Sequence, residues 1–113
     1  MIQLPNSVKA YFNASNNEQL DSFLEAFKED ALVIDFNREF NGLETIRNWC
    51  KSDILGVHVR FDITDAWEQD GAYAVIASLD GEFDKTNLPD PLLLIHTFKL
   101  ADGKIQELHV SLP

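Results

Sequence analysis

The chain has 113 residues, of which 45% are apolar, including eight Phe, two Trp and two Tyr, and its formal charge is −10, from 19 acids against 9 bases. That length predicts a single domain over residues 1–113, burying roughly two-thirds of its unfolded surface around one core. The charge argues against a nucleic-acid partner, which needs a basic footprint, and equally against an anionic membrane surface.

Pro5 to Asn16 reads as a first helix, with Pro5 suited to the first turn and Asn6 or Ser7 as alternative N-caps. Val8, Tyr11, Phe12 and Ser15 fall at helical spacing and give a narrow apolar stripe that carries one phenol. Asn16-Asn17 breaks this helix, and Asn17 is placed to cap the next, in which Leu20, Phe23, Leu24 and Phe27 repeat at helical spacing. Ala31 to Phe36 is a strand, with Leu32, Ile34 and Phe36 facing one way and Ala31, Val33 and Asp35 the other. Both faces are apolar, so a carboxyl group there needs a hydrogen-bonding partner or keeps its proton. A short hairpin follows through Asn37-Arg38 to Glu39-Phe40. Asn41-Gly42 then opens a third helix, Leu43 to Ser52, with Leu43, Ile46, Trp49 and Cys50 inward.

After Gly56 the pattern changes to strands. Val57, Val59, Phe61 and Ile63 alternate with His58, Arg60, Asp62 and Thr64 in a strand running to Trp67, and Asp70-Gly71 is a hairpin signal before the return strand Ala72 to Leu79. Asp80 to Pro91 is a loop long enough to form a functional lip, and Phe83 and Leu88 are its only large apolar residues. Leu92 to Leu100 is apolar on both faces, and Asp102-Gly103 turns it back into the last strand, Lys104 to Leu112. Three helices followed by long antiparallel strands make an α+β plan, with helices packed on one face of a curved sheet. Three short helices cannot cover so much apolar sheet, which predicts a homodimer through the uncovered sheet face.

The order of these motifs resembles the nuclear-transport-factor-2-like cone, which includes SnoaL-like polyketide cyclases and ketosteroid isomerases. The matching stretches are Leu20-Asp21 to Ala26-Phe27, Asp30 to Asp35, Asn41 to Arg47, and Phe98 to Ile105, spanning nearly the whole chain. The resemblance implies a cone-shaped barrel of curved antiparallel sheet with three N-terminal helices. It also implies residue roles. Asp35 falls where ketosteroid isomerases carry their general base, and Tyr11, nine residues before Leu20, falls where they carry an oxyanion-stabilising tyrosine. Their second oxyanion donor, a protonated aspartic acid two residues before the Phe of the penultimate strand, is replaced here by His96. By the same resemblance Phe12, Phe27, Val33, Phe40, Trp49, Phe61, Trp67, Phe98 and His109 are candidates for the ligand pocket.

Each candidate also has a structural explanation. Arg38 or Arg47 can hold Asp35 in an ion pair, Tyr11 can be a core aromatic, and His96 shares a face with Leu94, Phe98 and Leu100 as an interior histidine would. His58 alternates to the polar face. The three His show no metal-ligand spacing, and there is neither a Gly-rich phosphate loop nor a nucleophile elbow, so no metal or cofactor is expected. Cys50 on an apolar helix face reads as packing, and a lone cysteine points to a reducing cytosol. Two classes of function remain. One is a cofactor-independent enzyme that removes a proton next to a carbonyl, as isomerases, cyclases and dehydratases do; the other is a non-catalytic module that binds a small hydrophobic ligand or a protein.

Overall fold

The computed structural model describes residues 2–113. Helix α1 (Asn6–Asn16) turns its buried face, Val8, Tyr11, Phe12 and Ser15, onto the sheet. Helix α2 (Leu20–Glu25) buries Phe23 and Leu24 and is shorter than its apolar spacing predicts. The Ile105 N–H donates to the Ala26 carbonyl at 2.8 Å. This draws the chain into the sheet, so Phe27 opens strand β1 (Phe27–Asp35) instead of closing the helix. Asn17 caps nothing: its side-chain amide donates back to the Asn13 carbonyl, and Gln19 stands at the N-cap without a side-chain bond.

Strand β2 (Arg38–Asn41) pairs back on β1, and helix α3 (Gly42–Cys50) follows, burying Ile46, Trp49 and Cys50. Gly42 enters it at φ +82°, a left-handed conformation in which a side chain would be strained. The helix does not stop at Ser52. It widens into a π-helical turn, Lys51–Leu55, closed by the Gly56 N–H donating to the Lys51 carbonyl at 2.8 Å. Strands β3 (Arg60–Gln69), β4 (Ala72–Asp80), β5 (Leu92–Ala101) and β6 (Lys104–Ser111) complete a six-stranded curved, unclosed sheet in the order β2-β1-β6-β5-β4-β3. All pairs are antiparallel except β1 with β6, which is parallel. The fold is α+β, with the helices on the concave face.

The register fixes which side chains share a face. One row runs Ala66–Val75–His96–Val110–Asp35 across five strands, and this row faces the helices. The neighbouring row, Trp67–Ala74–Thr97–His109–Ile34, faces away. Trp67 therefore does not share a face with Phe61, as simple alternation predicts. The register of β3 slips between Ile63 and Asp65, and this bulge at Thr64 puts Ala66 inward and turns Trp67 out. Phe36 departs from expectation too: at φ +60° and half exposed it has left the strand, so it does not continue the face of Leu32 and Ile34.

Candidate functional site

Between the concave sheet face, α1, the π-helical turn and the loop after β4 lies a cavity of about 530 Å³. A cavity of this size suits a small organic ligand. Its closed end is formed by fully or nearly buried side chains, Tyr11, Phe61, Leu94 and His96. Its open end is formed by Phe36, Leu88 and Leu112, each exposed, with Phe83, Asn87 and Pro89 of the loop beside them. Val57, Val59, Leu79, Leu92 and Val110 line the walls, so most of the surface offered to a ligand is apolar.

Tyr11 is the hub of the closed end. Its ring meets Phe12, Phe23, Phe27, Phe61, His96 and Phe98 at centroid distances of 5.0 to 6.1 Å. Edge-to-face and tilted geometries dominate, as ring quadrupoles favour. Burial holds the phenol well above its usual pKa, and the Cys50 thiol and Asp35 carboxylate add to the effect, so Tyr11 keeps its proton as a donor. His96 is 1% exposed, and its Nδ1 has no hydrogen-bond partner. Burial pulls its pKa down to about 4, against weaker opposing pulls from the backbones of Val75 and Leu94, so the imidazole is neutral near pH 7. Burial likewise pushes the Cys50 thiol up to about 12, and Cys50 packs as an inert core residue.

Asp35 ends β1 on the cavity wall, its side chain 13% exposed. Its donors are neither Tyr11 nor His96. Arg38 Nη2 donates to Oδ2 at 2.5 Å, and Trp49 Nε1 donates to the same oxygen at 3.1 Å. Arg38 also bonds Oδ2 of Asp53 at 2.6 Å, and the Ser52 hydroxyl donates to Oδ1 of Asp53 at 2.7 Å. Arg47, the other cation named for Asp35, lies elsewhere, on a surface depression also lined by Asp21, Glu44 and Asp102. Asp35 and His96 share a sheet row with Val110 between them, two strand spacings or about 10 Å apart. They face one cavity without touching.

The pocket candidates divide into three groups. Trp49 and Phe61 line the cavity. Phe12, Phe27 and Phe98 stand behind Tyr11 in the ring cluster, Val33 is fully buried on the inner face, and Phe40 packs on Trp49 at 5.9 Å with Arg38 over its outer side. Trp67 and His109 lie on the opposite sheet face, Trp67 because of the β3 bulge and His109 because it alternates with the inward Leu108 and Val110; neither reaches the cavity. His109 bonds Glu107 at 3.1 Å, and His58 meets Glu18 at the surface. Sequence reasoning missed Ser52 and Asp53, because nothing in the pattern announces a π-helical turn that swings them to Arg38. Among the described residues no cluster of His, Cys, Asp and Glu fits a metal ion, and no helix is long and apolar enough to cross a membrane.

Comparison with known proteins agrees with this architecture. The SnoaL-like domain profile matches residues 8–108. A protein from Sinorhizobium meliloti, described as a candidate polyketide cyclase, is 25% identical and superposes with a TM-score of 0.85 over 96% of this chain and 95% of that one. A nuclear-transport-factor-2-like protein of unknown function from Cytophaga hutchinsonii is 16% identical, with a TM-score of 0.76 over 100% of this chain and 95% of that one. A Mycobacterium tuberculosis protein, solved in complex with estradiol-17β-hemisuccinate, is 11% identical, with a TM-score of 0.78 over 95% of this chain and 91% of that one. A search of curated sequences finds no match. With the profile covering nearly its full length, the chain belongs to the SnoaL-like domain family.

Proposed function

We propose that the protein binds a small, largely apolar, ring-sized ligand in the concave cavity. The observation that carries this reading is the closed end itself. A cavity of about 530 Å³ with mostly apolar walls ends on Tyr11 and the neutral ring of His96, both buried, which suits an apolar body with few polar groups. The steroid ester bound by the M. tuberculosis relative supports the size class. The negative charge of the chain favours such a ligand over nucleic acid as the partner. The outward sheet face, bearing Trp67, Ile76, Leu93 and Ile95, is the surface we assign to a second copy of the chain.

A catalytic version of the same reading has one observation in its favour. Arg38 and Trp49 both engage Oδ2 of Asp35, and Oδ1 receives no donor among the described residues. In this version Oδ1 takes a proton from the carbon next to a ligand carbonyl, and the Tyr11 hydroxyl donates to the oxyanion that develops. Without such chemistry, Asp35 is an orienting acceptor.

The test is titration with neutral steroid-sized probes, followed through Trp49 emission. Saturable binding is expected, and Leu94→Trp, which fills the closed end, should abolish it while circular dichroism stays native. Absence of saturable binding by any such probe, and of any co-purifying ligand in native mass spectrometry, overturns the reading. Asp35→Asn then separates the two versions. If Asp35 is a base, deuterium exchange of a bound enolisable ketone falls by about 100-fold or more while binding persists; unchanged exchange leaves it an orienting group.

A further inference from the structure

We propose that the cavity prefers an apolar ligand bearing an amine, received where Asp35 and Asp53 converge, and rejects carboxylate-bearing ligands of the same shape. The inference rests on the ligand-binding reading above and names the polar group of that ligand. Asp35 and Asp53 are the only charged side chains among the lining residues. One guanidinium answers both: Arg38 bonds Oδ2 of each at 2.5 and 2.6 Å, from a half-exposed position outside the lining. Two carboxylates against one cation leave a surplus negative charge at the wall, in a chain whose formal charge is already −10.

The hydrogen bonds give that surplus a direction. Arg38 and Trp49 both donate to Oδ2 of Asp35, leaving Oδ1 with no donor among the described residues. An ammonium group brings a donor and a positive charge to that oxygen. A ligand carboxylate would meet two like charges with no cation in the lining to receive it. The site is more than a pair of acids, because both carboxylates stand in the wall of an otherwise apolar cavity of about 530 Å³ that has the buried ring of His96 at its closed end. The apolar body of the ligand then lies between the closed end, formed by Tyr11, Phe61, Leu94 and His96, and the carboxylates.

Three probes with one ring system test this: naphthylmethylamine, naphthalenemethanol and naphthoate, titrated calorimetrically against the full chain at neutral pH. The amine should bind about ten-fold tighter than the alcohol, and the carboxylate weaker than the alcohol by a similar factor. Asp53→Asn should lower the amine-to-alcohol affinity ratio about five-fold, an effect that diffuse attraction to an acidic protein would not produce. A carboxylate that binds as tightly as the alcohol, an amine with no advantage, or a ratio unmoved by Asp53→Asn each overturns the proposal and leaves ligand binding standing. If none of the three binds, this inference is overturned, while the ligand-binding reading is decided separately by the steroid-sized probes and the co-purifying ligand.

Discussion

At the residue scale His96 is the most informative group. In the unfolded chain it takes up a proton near the ordinary histidine value of ~6.5, whereas folded it resists until about 4. The stabilisation linked to the neutral ring is complete above the unfolded value and is lost as pH falls through this window, amounting to about 3 kcal/mol at the acid end. The titratable groups facing it are Tyr11 from α1 and, two strands away, Asp35. Urea unfolding at pH 7.5 and pH 5 should show wild type losing stability on acidification, and His96→Phe losing less. Equal losses would show that the ring is not held neutral. Asp35 teaches a different lesson. A carboxylate between apolar neighbours was visible in the sequence, and so was the need for a partner; Arg38 was one of two cations named for it. Trp49 and the sharing of Arg38 with Asp53 were not visible, because they depend on where α3 and its π-helical extension come to rest.

Secondary elements show the same division between local and non-local information. Helix α1, helix α3 and the strands after Gly56 follow from periodicity, and Asp70-Gly71 and Asp102-Gly103 lie at the turns their chemistry demands. The shortfalls arise where a tertiary contact overrides a local pattern. Phe27 continues a helical repeat but is captured by Ile105 from the far end of the chain. Thr64 has no turn signature, yet the extra residue in the strand there reverses the facing of Trp67. The loop after β4 places Phe83 and Leu88 on the cavity, Leu88 41% exposed. Truncating both to Ala should weaken ligand affinity about ten-fold by removing apolar wall, with unfolding stability lowered by no more than about 2 kcal/mol. Unchanged affinity would reduce the loop to a connection.

For the whole molecule, the question is what covers the outward sheet face. Trp67, Ile76, Leu93 and Ile95 stand there half-buried, and the small Ala74 between Trp67 and Thr97 leaves a depression. A two-fold dimer across this face would bury the stripe isologously. Light scattering at micromolar concentration should return about twice the 12.8 kDa chain mass, and Ile95→Lys should return the monomer. A monomeric wild type would leave the face simply solvated.

The parallel pairing of β1 with β6 also sets an order of assembly. Among the described residues β6 is the only strand joining β1 and β2 to β3, β4 and β5. Before β6 closes on β1, the local pairings available are the ribbon β1–β2 and the four-stranded meander β3–β6, both built from near neighbours in sequence. Closing β6 against β1 is a contact of high sequence separation, and loop-closure entropy makes such contacts slow to form. Asp35 sits on one side of that seam and His96 on the other, with Val110 of β6 between them. The expected order of assembly therefore has the cavity completed when β6 closes on β1, since only that closure brings Asp35 and His96 into one sheet.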